Sequence, residues 1–246
     1  MKKITDRTIL KNKNVLVTGG TSGIGKATAK RLAQEGANVM IFGRNKDHLK
    51  KAVSDIKKYG IFGITADVSS ETDIDKVFSE FKRKYGDIDI LVNNASLPAR
   101  SITSNNYQKM EYTLRVNILG YMYCTKKAFE IMKNNGQGHI VNIGSMSAKV
   151  KEERADLYVP TKSAIEGFSE SFRKKANRNG VKLSLIEPGS VGTGMVDESK
   201  EEQKKLQEEF LMLRAEDIAE AIVFCLTRPK RCDVICLEIK PHRQII

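Results

Sequence analysis

The sequence has no tryptophan, three histidines and four cysteines in 246 residues. Each shortage removes a class of function. His48, His139 and His242 are scattered without ligand spacing, and Cys124, Cys225, Cys232 and Cys236 form no CxxC pair. Neither a metal centre nor a disulfide framework is therefore expected. Cys232 and Cys236 fall in a strand-like run where same-face spacing accounts for them, and reduced, partly buried thiols are expected throughout. No apolar run is long enough to span a bilayer, and Met1-Lys2-Lys3 is not followed by the apolar core of a signal peptide. A cytoplasmic protein without a membrane partner is expected. Lys and Arg (42) exceed Asp and Glu (30), and a net charge of +12 raises nucleic acid or an anionic ligand as partner. The lysines are dispersed, however, and no nucleic-acid motif occurs, so a solvated basic surface without a nucleic-acid partner is the expectation.

What is present is a rhythm. Asn14 to Val17 is a short apolar run bounded by turn signals, which reads as a buried strand, and a glycine-rich turn and a helical stretch ending at Glu35 and Gly36 follow it. Strands at 38–42, 61–66 and 88–92 alternate with helices at 45–59 and 71–85. The second half continues with a long helical stretch at 107–134, a strand at 138–143, a helix at 157–179, a strand at 181–186, a helix at 215–227 and a strand at 234–238. Strict β-α alternation requires parallel pairing through right-handed crossovers, hence an α/β, Rossmann-type doubly wound sheet of about seven strands with helices on both faces. No linker, repeat or low-complexity segment interrupts it, so residues 1–246 read as one domain. Residues 197–213 are rich in lysine and glutamate with scattered Leu, Phe and Met. They look amphipathic and loosely attached, and the stretch at about 190–213 is positioned like a substrate lid.

Two stretches suggest chemistry. Tyr158 and Lys162 are four residues apart at the start of a predicted helix and share a face, and Pro160 is tolerated in a first turn. A nearby cation favours ionisation of a phenol whose ordinary pKa is about 10, although a lysine lying over a ring is the everyday explanation of such a pair. Glycines at 19, 23 and 25 between a strand and a helix permit a tight turn and close approach of a dinucleotide pyrophosphate to the positive helix end. Their spacing, G-x-x-x-G-x-G, is not the generic G-x-G-x-x-G. The second strand ends in Gly43-Arg44-Asn45 with no acid to hold a ribose 2′-hydroxyl. Arg44 is available for a bidentate phosphate contact, which favours NADP(H), while Asp47 keeps NAD(H) open.

Taken together these residues resemble the short-chain dehydrogenase/reductase family from about residue 12 to 240. The glycine turn T-G-x-x-x-G-x-G is matched at Thr18 to Gly25, and the Asn-Asn-Ala-Gly element at Asn93-Asn94-Ala95-Ser96. Asn117, Ser145, Tyr158 and Lys162 match the catalytic tetrad, and Pro188-Gly189 and Thr193 match the nicotinamide-side loop. The resemblance implies a cofactor site built from Thr18, Gly19, Thr21, Ser22, Gly23, Ile24 and Gly25, with Arg44 at the ribose. It also implies Asp67 and Val68 beside the adenine, Asn94 and Ala95 along the cofactor, and Val191 and Thr193 at the carboxamide. Ser96 departs from the family's final glycine, and residues 97–106 follow no pattern. The run Ile186 to Thr193 and the C-terminal stretch from Glu238 look most like the branch with 3-hydroxy acid and serine dehydrogenases.

The implied reaction interconverts a carbonyl and a secondary alcohol of a small keto or hydroxy compound. Tyr158 would be the acid or base, and Lys162 would lower its pKa and hold the ribose. Ser145 would orient the substrate oxygen, and Asn117 would hold a water leading to Lys162. Glu152, Glu153 and Arg154 would rim the pocket, and Arg100 is either an anchor for a substrate carboxylate or an exposed loop residue. A homodimer or homotetramer is implied by the resemblance alone. Two alternatives stay open: a 3-oxoacyl-thioester or steroid-type reductase docking an acidic partner, and a non-catalytic NADP-sensing regulator.

Overall fold

A computed structural model of the chain describes residues 7–99 and 101–246. Seven strands form one parallel sheet: β1 (Asn14–Thr18), β2 (Asn38–Gly43), β3 (Phe62–Thr65), β4 (Ile90–Asn93), β5 (Gly138–Ile143), β6 (Val181–Pro188) and β7 (Cys236–Ile239). Their order is β3-β2-β1-β4-β5-β6-β7. Val15, Leu16 and Val17 are all buried, because helices cover both faces of the sheet. One face packs against α1 (Gly23–Gln34), α2 (Lys46–Asp55) and α9 (Ala215–Leu226) through residues such as Val17, Leu32, Ile41 and Ile222. The other packs against α3 (Glu71–Tyr85), α5 (Gly120–Asn134) and α7 (Tyr158–Arg178), which follows the short α6 (Ser147–Val150), through Leu16, Phe81, Phe129 and Ile140. The architecture is the Rossmann-type sheet expected from the alternation.

Local signals explain where elements begin. Ser70 caps α3 by accepting from the Asp73 N–H at 3.2 Å. Glu71 and Asp73 occupy its first turn and Lys82, Arg83 and Lys84 its last, the polarity that the helix dipole favours. The long helix expected over 107–134 is instead α4 (Tyr107–Leu114), a π turn (Arg115–Leu119) and α5. α5 begins at Gly120, where a Cβ would stand 2.7 Å from the Val68 carbonyl oxygen. A π turn of this kind re-aims a side chain, here that of Asn117.

The segment read as loosely attached contains α8 (Lys200–Glu208), which carries a capping box between Ser199 and Glu202. It is strapped at its base, where Gly192 N–H donates to Leu213 O at 2.9 Å and Leu213 N–H donates to Ser190 O at 2.9 Å. The last strand begins at Cys236, so Cys232 lies outside it, and both thiols are exposed while Cys124 and Cys225 are buried. Among the described residues, Glu187, Cys236 and Glu238 could converge on a cation. That place is already neutralised by Lys149, whose Nζ is 3.0 Å from Glu187 and paired with Glu238. Among the described residues no helix is long and apolar enough to cross a membrane.

His139, on β5, is buried and its Nε2 pairs with Ser184 Oγ on β6 at 2.9 Å. Burial, helped by the charge of Lys182, pushes its pKa down from 6.5 to about 4. The unfolded chain therefore takes up this proton first. The contribution of neutral His139 is complete above pH 6.5 and is lost as pH falls towards 4. Replacing His139 by Asn should flatten the decline of melting temperature across that window. An unchanged decline would show that other groups set the acid limit.

Candidate active site

The sheet order reverses at β1, which has β2 on one side and β4 on the other, so a crevice opens beyond the carboxyl ends of β1 and β4. A cleft of ≈ 1200 Å³ lies there, larger than the roughly 300–1,000 Å³ of most small-molecule sites. Its walls include Gly19, Thr21, Ser22, Gly23 and Ile24 from the turn after β1, Arg44 after β2, Asp67 and Val68 after β3, and Asn94 and Ala95 after β4. Ser145, Tyr158, Lys162, Pro188, Gly189, Val191 and Thr193 close it from the other side.

The turn is built for close approach. Gly19 has φ +63°, and a Cβ there would stand 2.8 Å from Ala95 Cα; a Cβ on Gly25 would stand 2.4 Å from both Asn94 Nδ2 and Gly19 O. Ser22 precedes α1 without a side-chain cap, so the first-turn N–H groups have no capping side chain of their own. These glycines and uncapped donors fit a pyrophosphate at a helix N-terminus.

Three of the expected residues stand behind the cleft wall. Thr18 is buried, and its Oγ1 accepts from the N–H groups of Asn94 and Ala95, each at 2.9 Å. It thus ties β1 to the segment after β4. Gly25 is likewise buried in the first turn of α1. Asn117 is fully buried, and its Oδ1 accepts from Leu97 N–H at 2.8 Å while its Nδ2 donates to Leu97 O at 3.0 Å and Thr161 Oγ1 at 3.3 Å. Its side-chain amide thus clamps the backbone of Leu97.

Tyr158 opens α7 and Lys162 follows one turn later, as the spacing required. Lys162 is 2% exposed, its Nζ donates to Ile143 O at 2.9 Å, and it lies 5.5 Å from the ring centres of both Tyr158 and Tyr121. Tyr121, which the sequence did not single out, donates to the same carbonyl at 3.2 Å. Burial pushes Lys162 down from 10.5 to about 7. The expected lowering of Tyr158 is overturned: burial lifts the phenol to about 12, and the Glu152 charge adds to the rise, against the opposing hydroxyls of Ser145 and Ser96. Desolvation disfavours the charged phenolate, and burial likewise disfavours the charged form of Lys162.

At the far end of the cleft Arg44 does not stand alone. Its Nη1 donates to Tyr112 Oη at 2.6 Å, its guanidinium lies 5.4 Å from the centre of that ring, and Tyr112 Oη donates to Asp67 Oδ2 at 2.7 Å. Burial opposes ionisation of Asp67, but Tyr112, the Ser69 N–H and Arg44 outweigh it and hold the carboxyl below its ordinary range. Tyr112 was missed because no sequence signal couples an aromatic on α4 to the end of β2. Glu152 and Arg154 line the cleft, Glu153 does not, and Arg100 lies outside the described residues.

Comparison with known proteins agrees with this geometry. The short chain dehydrogenase family matches residues 13–204. An uncharacterised oxidoreductase of Staphylococcus aureus (strain MRSA252) is 31% identical over 235 residues, 95% of this chain and 99% of its own. Among solved structures, a 3-ketoacyl-(acyl-carrier-protein) reductase from Brucella melitensis complexed with NADH superposes with a TM-score of 0.85 at 26% identity, covering 96% of this chain and 100% of its own. A closed form of serine dehydrogenase complexed with NADP+ gives 0.83 at 28% identity, covering 92% and 93%. The chain is an oxidoreductase that belongs to the short-chain dehydrogenase family.

Proposed function

We propose that the protein is an NADP(H)-dependent carbonyl reductase of small keto compounds, working reversibly on the corresponding secondary alcohols. The observation that carries the reading is the convergence of Ser145, Tyr158 and Lys162 on one cleft with the glycine turn. Cofactor-bound relatives of the same fold support a nicotinamide dinucleotide in that cleft. Gly19 to Ile24 and the start of α1 would hold its pyrophosphate, Asp67 and Val68 its adenine end, and Val191 and Thr193 its nicotinamide end. When bound, the cofactor supplies a hydride to the carbonyl carbon, or receives one in the reverse direction. Tyr158 gives its phenolic proton to the carbonyl oxygen, so that hydride and proton together make the alcohol and the tyrosinate is then reprotonated from solvent. A phenol raised to about 12 is protonated at neutral pH, the form that reduction needs. Ser145 donates to the same substrate oxygen and stabilises the charge that develops on it. Lys162 in its ammonium form offsets the tyrosinate left behind. The strapped segment carrying α8 would close over the substrate.

The NADP preference rests on Arg44, held between the Tyr112 hydroxyl and ring. Arg44→Ala should weaken NADPH binding about 10- to 100-fold, as loss of a charge-assisted pair does, with little change for NADH. Titration of both cofactors by fluorescence checks this, and equal losses would remove the phosphate role. The activity itself is tested by following NADPH and NADH oxidation with 2- and 3-keto acids, 3-oxoacyl thioesters and ketosteroids. Turnover of a keto acid supports the proposal, and turnover of only thioesters or steroids redirects the substrate class. Cofactor binding without turnover of any carbonyl would replace the enzyme reading by an NADP sensor.

A further inference from the structure

Ser96 is the one residue between two clamps. On one side Thr18 Oγ1 accepts from the N–H groups of Asn94 and Ala95, each at 2.9 Å. On the other, Asn117 holds both the N–H and the carbonyl of Leu97, at 2.8 and 3.0 Å. The backbone of Ser96 is thus fixed from both directions, and its side chain lines the cleft together with Ser145 and Tyr158. Its Oγ is buried and has no partner within hydrogen-bonding geometry among the described residues. A buried hydroxyl without a partner is unfavourable, and such groups call for an explanation. A hydroxyl fixed beside a group whose charge changes during reaction supplies one. Catalytic hydrogen bonds are often long before substrate is in place and tighten in the reactive complex. Ser96 stands where the resembled Asn-Asn-Ala-Gly element has glycine, which offers no hydroxyl.

Resting on the reading of Tyr158 as acid and base, we propose that Ser96 is a further catalytic residue: its hydroxyl donates a hydrogen bond to the Tyr158 oxygen as that oxygen passes its proton to the substrate. Ser145 and Ser96 then divide the work. Ser145 serves the substrate oxygen, and Ser96 serves the phenolate that remains. The Ser96 hydroxyl already lowers the Tyr158 pKa from nearby, although the two oxygens are not in hydrogen-bonding geometry in the resting structure. No atom is exchanged with Ser96, which keeps its own proton throughout.

The test compares Ser96→Ala and Ser96→Thr with the wild-type enzyme. Ser96→Ala removes only the hydroxyl, so melting temperature and NADPH affinity should hold or rise. Its kcat should fall about three- to tenfold, the worth of one hydrogen bond. The Tyr158 phenol, followed by NMR of tyrosine labelled at Cζ and assigned with Tyr158→Phe, should titrate higher than in the wild type. Ser96→Thr keeps the hydroxyl and should stay near wild type in both readouts. Unchanged kcat and phenol titration in Ser96→Ala would overturn the proposal, as would a Ser96→Thr variant that loses as much as Ser96→Ala. The titration needs no substrate, which separates the two ideas. A shifted phenol without any carbonyl turnover would leave the Ser96 contact standing and sink the reductase reading.

Discussion

Replacing Tyr158 by Phe should reduce kcat by about 10²- to 10⁴-fold, the usual worth of a positioned general acid, while leaving NADPH affinity nearly unchanged. The substitution removes one oxygen and keeps the ring that packs at the start of α7 and lies 5.5 Å from Lys162 Nζ. The fold should therefore be preserved, because the packing of the ring is kept. Loss of kcat without loss of cofactor binding assigns the proton to this oxygen, since a purely structural tyrosine would weaken both. Steady-state kinetics alongside NADPH titration distinguishes the cases. A variant retaining more than about a tenth of wild-type kcat would point to another proton donor.

Lys162→Met should lose activity and gain stability. The buried ammonium has its pKa pushed from 10.5 to about 7 by burial. Between those values the unfolded chain holds a proton that the folded chain releases, so stability rises with pH across the window, and the penalty is complete below about pH 7. At neutral pH and below, relief of that penalty is worth on the order of 2–5 kcal/mol, and methionine fills the volume with an apolar chain. Ile143 O keeps the Tyr121 hydroxyl as a partner at 3.2 Å, so no buried acceptor is orphaned. Thermal melts at pH 6 to 8 should thus show a higher Tm for the variant, and the difference should shrink as pH approaches 10. An activity loss of about 10²-fold or more is expected at the same time, through the uncompensated tyrosinate. A variant less stable than wild type would mean that the Lys162 ammonium is well enough paired in the fold to carry no net burial penalty. The exchange of stability for function at one residue is what a desolvated active site implies.

Much of this was legible in the sequence because each element carried its own local signal. The apolar runs separated by helical periodicity required a parallel sheet. Tyr158 and Lys162, one helical turn apart, could only share a face. The glycines at 19 and 25 sit where a Cβ would collide with Ala95, Asn94 or Gly19. What was not legible depends on contacts between distant segments. Tyr112 meets Arg44 only because α4 crosses opposite the end of β2, a relation of 68 residues that no spacing reveals. Thr18 reads as part of a binding turn, yet the register of β1 against β4 turns its hydroxyl inward to Asn94 and Ala95. The π turn at 115–119 leaves no mark in an otherwise helical pattern, and it is what delivers Asn117 to Leu97. The sign of the Tyr158 shift was missed for a related reason. Charge proximity can be read from spacing, but the burial that outweighs it is a property of the whole cleft.

The proposed reaction moves a hydride to a carbonyl carbon in this cleft while Tyr158 supplies the proton. It is tested most directly with NADPH deuterated at C4 and the best carbonyl substrate of the panel, with the alcohol product read by mass spectrometry and NMR. Wild-type protein should place deuterium on the carbinol carbon, and Tyr158→Phe should do so at a rate lower by about 10²-fold or more. Deuterium transfer at equal rates in both proteins would contradict the role of Tyr158. No transfer to any carbonyl by a protein that binds NADPH would contradict the reaction itself.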